Sequence, residues 1–205
     1  MMQKVKCAAL AISVALISVS AAAANRIEGR VEAGGAAISG ANVSVWLAGP
    51  GAPQKLAEVK TNDDGNYDLS FSDANDDAGL LYLIAAGGES KLKSAKGPNP
   101  AITLMATLGT KAPERVTINE LTTVASAWTA AQFLNGTTLS GNALGLRIAA
   151  GNVPNLVDLE TGGLGPVIED PLNSSQTTTL AKFNTLGILL SGCVTAIPDA
   201  CRKLF

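Results

Sequence analysis

Not one histidine occurs among the 205 residues. This absence excludes a Ser-His-Asp triad, a Cys-His pair and every histidine-ligated zinc site, so catalysis would fall to carboxylates, lysine or Ser-Lys pairs. Aromatic residues make up 4% of the chain and charged residues 16%. Basic residues are also too few and too dispersed to neutralise phosphates. The only local group, Lys91, Lys93 and Lys96, has no interleaved aromatics and reads as a solvated loop, so no nucleic-acid partner is expected.

Long apolar runs are absent except at the start. Lys4 and Lys6 form a positive n-region, Cys7 to Val19 an apolar h-region, and Ala22-Ala23-Ala24 a small-residue cleavage site before Asn25. Residues 1–24 are therefore predicted to be a secretory signal peptide. The apolar core is shorter than the roughly 20 residues a transmembrane helix needs, and no second such run follows, so no membrane span is expected in the mature chain. Cys7 lies inside the removed segment, which argues against a lipid anchor at the cleavage site. Losing Lys4 and Lys6 reduces the 15 basic residues to 13 against 17 acidic ones, a net charge of −4. The expected location is secreted or periplasmic, at the cell surface in one version.

Composition changes midway along the chain. From Asn25 to about Thr110, short alternating stretches are broken by Gly, Pro, Asn and Asp; beyond that come longer runs rich in Ala, Leu and Thr. Strands are predicted over Arg26–Glu32, Asn42–Leu47, Lys55–Lys60, Asn66–Phe71, Leu80–Ala86 and Ala101–Leu108, with about seven in all. Val43, Val45 and Leu47 should share one face, with Ser44 and Trp46 on the other. Asp63-Asp64-Gly65-Asn66 supplies a turn in which Gly65 takes a positive φ cheaply.

Three segments in this order carry a resemblance: Ile27-Glu28-Gly29-Arg30-Val31, Ile38-Ser39-Gly40-Ala41-Asn42-Val43, and Thr61-Asn62-Asp63-Asp64-Gly65-Asn66-Tyr67. They resemble the carboxypeptidase regulatory-like domains over about 85 residues. The resemblance implies a transthyretin-like β-sandwich that serves as a spacer, stabiliser or adhesive module. The hydroxyisourate hydrolases, an enzyme branch of that fold, use active-site histidines that this chain lacks.

Carboxylates are the remaining candidates for chemistry. Asp158, Glu160, Glu169 and Asp170 could serve a hydrolase if two of them faced each other across a cleft at about 5 to 9 Å. Glu169 and Asp170 lie in a Gly- and Pro-rich stretch that reads as a solvated loop. Asp73-Ala74-Asn75-Asp76-Asp77 offers calcium-type oxygen ligands, but Ala78 stands where an EF-hand turn requires Gly and Ile84 where it requires Glu. No metal or cofactor is expected.

The second half opens with a helix signal. Thr117 and Glu120 are spaced as a capping box, with Val116 and Leu121 as a hydrophobic staple. Leu121, Val124, Ala125, Trp128 and Ala131 then share a face expected to be core, and Asn135-Gly136 stops the helix. A second helix is expected from Asn142 to Ala150, with Ser140 as cap and Gly151-Asn152 as stop. From Gly151 to Leu172 an irregular connection is expected, rich in Pro and Gly. Asn173 and Gln176 then open a third helix that buries Leu180, Phe183, Ile188 and Leu190 before Gly192.

With the signal removed, Cys193 and Cys201 remain and are expected to form a disulfide in an oxidising compartment, stabilising the chain by about 2 to 3 kcal/mol. Asn-x-Ser/Thr triplets at Asn42, Asn135 and Asn173 matter only in a eukaryotic secretory pathway. Val116 to Ala125, Phe183 to Leu189 and the two cysteines resemble the helical segment that precedes NHL-type β-propeller repeats in secreted bacterial proteins. No repeats of about 40 residues follow before Phe205.

The sequence thus predicts an α+β chain of two domains. A transthyretin-like β-sandwich occupies residues 25–110, and a mainly helical domain with one disulfide occupies 111–205. The expected role is an exported, non-enzymatic structural or binding module of the bacterial cell envelope, its partner an envelope protein or a glycan. One version is an adhesion module with Trp46 and Tyr67 as candidate ligand contacts, the alternative for both being burial in the sandwich core; a second version is the carboxylate hydrolase.

Overall fold

The computed structural model describes residues 24–72, 79–93 and 97–195. The predicted signal segment up to residue 23, the Asp73–Asp77 loop, Lys96 and Cys201 lie outside the described residues. The chain is a mixed α+β protein with antiparallel sheets and five α-helices among the described residues.

Two sheets share one hydrophobic cluster. The strands are β1 (Ala24–Ala33), β2 (Ala36–Ser39), β3 (Asn42–Ala48), β4 (Gln54–Lys60), β5 (Asn66–Ser72), β6 (Leu80–Ala86), β7 (Glu89–Ser90), β8 (Thr103–Gly109) and β9 (Arg115–Ile118). The first sheet runs β5-β1-β2-β7, with β9 added parallel to β1; the second runs β4-β3-β6-β8, all antiparallel. Among the described residues eight strands thus fall within 25–110 where about seven are expected, one of them the two-residue β7. Period-two alternation does its work on β5, where Tyr67, Leu69 and Phe71 are buried and their neighbours exposed. Those three side chains meet Ile27 and Val31 of β1 and Val43, Val45, Leu81 and Leu83 of the second sheet in one cluster. Ser44 and Trp46 lie on the opposite face of β3, as the alternation requires. Gly65 adopts φ +76° in the turn before β5.

The strand β9 lies beyond the boundary drawn at residue 110, yet it pairs with Glu28 to Val31 of β1. This pairing depends on Gly29. A Cβ there would sit 1.8 Å from the Val116 carbonyl oxygen, and the Tyr67 hydroxyl crosses over the same glycine to donate to that oxygen at 2.8 Å. Glycine is required by the close approach of three segments rather than by φ.

The helices are α1 (Glu120–Ala130), then, after a short hairpin of β10 (Leu134–Asn135) and β11 (Thr138–Leu139), α2 (Ala143–Leu156), α3 (Pro166–Glu169), α4 (Pro171–Gln176) and α5 (Thr179–Thr195). They cover the outer face of the second sheet, where Leu80, Tyr82, Ile84 and Met105 pack with Ala130, Leu139, Leu146, Ala149 and Ala150. A third cluster joins α1, α2, α3 and α5 through Val124, Ala125, Val153, Ile168 and Phe183.

Several helix boundaries differ from expectation. The capping box is formed by Asn119 and Thr122, each side chain accepting from the other's backbone N–H at 3.0 and 2.9 Å. Thr117 belongs to β9, and Glu120 is buried and accepts from the Gly34 amide. Val116 is likewise in β9 and not a staple. Asn142, not Ser140, caps α2, which runs through Gly151-Asn152 to Leu156 because the stop signal lies on an exposed helix face with no tertiary reason to end it. The expected irregular connection contains the end of α2, the short helix α3 and the start of α4. Asn173 and Gln176 lie in α4, with α5 starting afresh at Thr179 and continuing past Gly192 to Thr195. Ile188, expected in the core, is 71% exposed.

Trp128, expected in the core, is 41% exposed. The face of α1 turned to the sheet is set by hydroxyls: Thr123 Oγ1 accepts from Met105 N at 2.9 Å and Ser126 Oγ from Thr107 N at 2.8 Å. Docking these hydroxyls on β8 rotates Trp128 out toward α5, where its ring lies 6.4 Å from that of Phe183.

Substituting Gly29→Ala is expected to lower stability by about 3 kcal/mol, whereas Gly151→Ala, in α2 with open space around it, should raise it by about 0.5 to 1 kcal/mol. Urea unfolding midpoints distinguish the two. The variant Ser126→Ala strands the buried Thr107 N–H and should lose about 1 to 3 kcal/mol in the same measurement.

Candidate functional site

Tyr67 is no surface contact. It is 4% exposed, and its hydroxyl is spent on the Val116 carbonyl. Burial pushes the Tyr67 phenol well above the ordinary tyrosine range. The physical reason is register: Tyr67 lies opposite Gly29, so its ring fills the space the glycine leaves. Trp46 is half-buried. Its ring stacks on Tyr82 at 6.4 Å, its Nε1 donates to Ser44 Oγ at 2.8 Å, and Lys55 Nζ sits 5.2 Å from its ring centroid. Both its face and its donor are already engaged.

The four carboxylates are all exposed, and two of them serve the local backbone. Asp158 Oδ1 accepts from Glu160 N and Thr161 N at 2.8 and 3.1 Å, and Asp170 Oδ1 accepts from Leu172 N at 2.8 Å to cap α4. Glu169 sits at the end of α3. Asp158 and Glu160 do line one cleft of about 590 Å³, with Glu28, Glu114 and Arg115. Within it Arg115 donates to Glu28 at 2.9 Å and lies 3.9 Å from Glu160.

That ion pair continues a ladder across the outer face of the first sheet. Arg26 grips Asp68 with two hydrogen bonds of 2.8 and 2.7 Å and lies 3.7 Å from Glu28. The hydrogen bond from Arg26 holds the Asp68 carboxyl below the usual carboxylate range, and the bond to Glu28 raises the Arg115 guanidinium further. The ladder's side chains are exposed and both guanidiniums are matched by carboxylates of the chain, which leaves little attraction for an anionic ligand.

A different surface is apolar and open. Between α1 and α5 runs a groove of about 420 Å³ lined by Val124, Ala127, Trp128, Leu186, Leu189 and Leu190, with Thr123 and Cys193. Leu186 and Leu189 are 43% and 41% exposed. Cys193 is disulfide-bonded; its expected partner, Cys201, lies outside the described residues. Helical periodicity, which places Trp128 in the core, does not reveal the groove. One signal was present: Leu186-Gly187-Ile188-Leu189-Leu190 is apolar all round the helix, more than one buried face can use.

No family model matches the chain, and no curated protein does. Among solved structures, a 9R-lipoxygenase from Cyanothece PCC8801 aligns at 13% identity over 53% of this chain and 18% of its own, with a TM-score of 0.33. An alternative pilotin from the type II secretion system of Vibrio cholerae aligns at 14% identity over 47% of this chain and 95% of its own, with a TM-score of 0.30. Likenesses this distant carry no argument about fold or function.

The buried phenol gives a pH test. In the unfolded chain Tyr67 ionises near pH 10, while the folded protein keeps the proton to higher pH; above about pH 10 the folded state binds more protons and stability falls. Urea unfolding at stepped pH should show this loss. In Tyr67→Phe, about 1 kcal/mol less stable at neutral pH, the alkaline loss should be shallower.

Proposed function

We propose that this chain is an exported, non-enzymatic structural or binding module of the bacterial cell envelope. In this reading a transthyretin-like β-sandwich, completed by β9 beyond residue 110, carries the helical segment that follows, and a Cys193–Cys201 disulfide ties the C-terminal residues to α5. The observation that carries the binding reading is the apolar groove at Trp128, Leu186 and Leu189. Its hydroxyl, Thr123 Oγ1, is already engaged with Met105 and Asn119. A glycan needs directed polar partners beside an aromatic face, and this lining offers the aromatic face without them. An apolar stretch of an envelope protein is the ligand class that fits, recognised by area removed from water.

The test uses the oxidised chain from Asn25 to Phe205 against cell-envelope extract and, in parallel, a glycan array. Saturable capture of an envelope protein is expected, weakened about tenfold or more by Leu189→Asp and unaffected by Trp46→Ala. Binding that Trp46→Ala abolishes and Leu189→Asp leaves intact would move the site to the sheet face and to the adhesion reading. No capture at any concentration would leave a spacer.

A further inference from the structure

The apolar groove between α1 and α5 opens along one stripe of α5. Leu186, Leu189, Leu190 and Cys193 follow one another at helical spacing, and the stripe from Leu186 to Cys193 is about 10 Å long. Trp128 of α1 stands across from it, 41% exposed. The other side of α5 is taken: a Cβ on Gly34 would lie 3.2 Å from both Ser191 Oγ and Thr195 Cγ2, so the turn between β1 and β2 rests against that face.

Cys193 closes one end of the stripe, two residues before α5 ends at Thr195. It is disulfide-bonded and 7% exposed. With Cys7 in the predicted signal segment, Cys201 is its expected partner. Residues 196–205 lie outside the described residues, but their sequence and this bond fix where the last of them start. A disulfide sets the two Cα atoms about 5.5 Å apart, which puts Arg202-Lys203-Leu204-Phe205 at the rim of the groove. Four extended residues reach about 13 Å, enough to carry Leu204 and Phe205 back over Leu189 and Leu186. Arg202 and Lys203 then lie by the last turn of α5, which carries the negative end of the helix dipole and no basic residue of its own.

We propose that residues 202–205 occupy this groove, with Leu204 and Phe205 packed against Trp128 and Leu189. The proposal rests on the binding reading above for the groove's role and adds its regulation: an apolar stretch of an envelope protein has to displace a segment of the chain itself. Two apolar side chains are a small ligand, and the disulfide makes them sufficient by holding them at an effective concentration in the millimolar range. Without the bond the tether to Leu204 runs from Thr195 over nine residues in place of three from Cys201. The effective concentration then falls roughly fivefold.

The experiment uses the oxidised chain from Asn25 to Phe205. Proton NOEs from the Phe205 ring and the Leu204 methyls to Trp128 and Leu189 are expected, independent of protein concentration and weakened in Cys201→Ser. In a Trp46→Phe background, Trp128 is the one tryptophan, and its fluorescence quenching by acrylamide reports whether the groove is covered. The double substitution Leu204→Ser with Phe205→Ser should raise that quenching constant about twofold or more. The NOEs are read on the unsubstituted chain and carry the test if Trp46→Phe does not fold. Absence of these NOEs overturns the proposal, as does quenching that the double substitution leaves unchanged. NOEs that grow with concentration overturn it too, by assigning the groove to residues 202–205 of a second copy. Every readout is taken on the free chain, so failure to capture an envelope protein would count against the binding reading and leave this result standing.

Discussion

Strand β6 is apolar on both faces, and the architecture follows from that. In Leu80-Leu81-Tyr82-Leu83-Ile84-Ala85-Ala86, all but the last residue are buried. Leu81, Leu83 and Ala85 enter the cluster shared with the first sheet, while Leu80, Tyr82 and Ile84 enter the cluster under the helices. A strand of this kind cannot sit in a sheet with one wet side. The second sheet must therefore lie between two layers, the first sheet beneath and α1, α2 and the β10–β11 hairpin above. Residues either side of position 110 thus share cores, and β9 crosses that position to complete the first sheet.

Covering a sheet with a helix leaves the problem of the sheet's edge. Here one helix handles both. The axis of α1 is displaced to β8, so that its hydroxyl-bearing face meets the strand's free N–H groups while its apolar face turns to α2 and α5. That placement satisfies Met105 and Thr107, and it rotates Trp128 into the open. It also has a local cost: Thr107 Oγ1 is buried without a hydrogen-bond partner, a loss of order 1 to 3 kcal/mol. The groove beside Trp128 is therefore a by-product of how the edge is capped, and it persists because α5 continues apolar past the contacts that bury Phe183 and Gly187.

What could be read from the sequence follows the same division between local and tertiary causes. The strands with clean alternation, β1 and β5, are legible because a half-buried strand writes its environment into every second residue. The Gly65 turn was legible because its φ is a local demand. The run in β6 is legible as a strand, and its lack of alternation implies cover on both faces, which joins the two halves. Thr117 and Glu120 satisfy the spacing of a capping box, yet Asn119 and Thr122 satisfy it as well; the choice fell to the parallel pairing of β9 with β1, a contact between residues far apart in sequence. Trp128 failed for the same reason, since its exposure depends on hydroxyl contacts with β8 that no helical periodicity records. The carboxylates were candidates only by elimination, and their exposure and their work at turns and caps are tertiary facts.

The two surfaces of the molecule differ in what they can offer a partner. On the outer face of the first sheet, each guanidinium is matched by a carboxylate within the chain, as in Arg26 with Asp68 and Arg115 with Glu28. A ligand drawn to that face would have to displace an existing pair in full solvent, where Coulomb energies are small and screened. The groove between α1 and α5 presents no such competition, because its described lining carries no charge. Its apolar lining gives attraction without direction, so any selectivity it has must come from shape, set by the Trp128 ring against Phe183 at one end and by the disulfide-bonded Cys193 at the other.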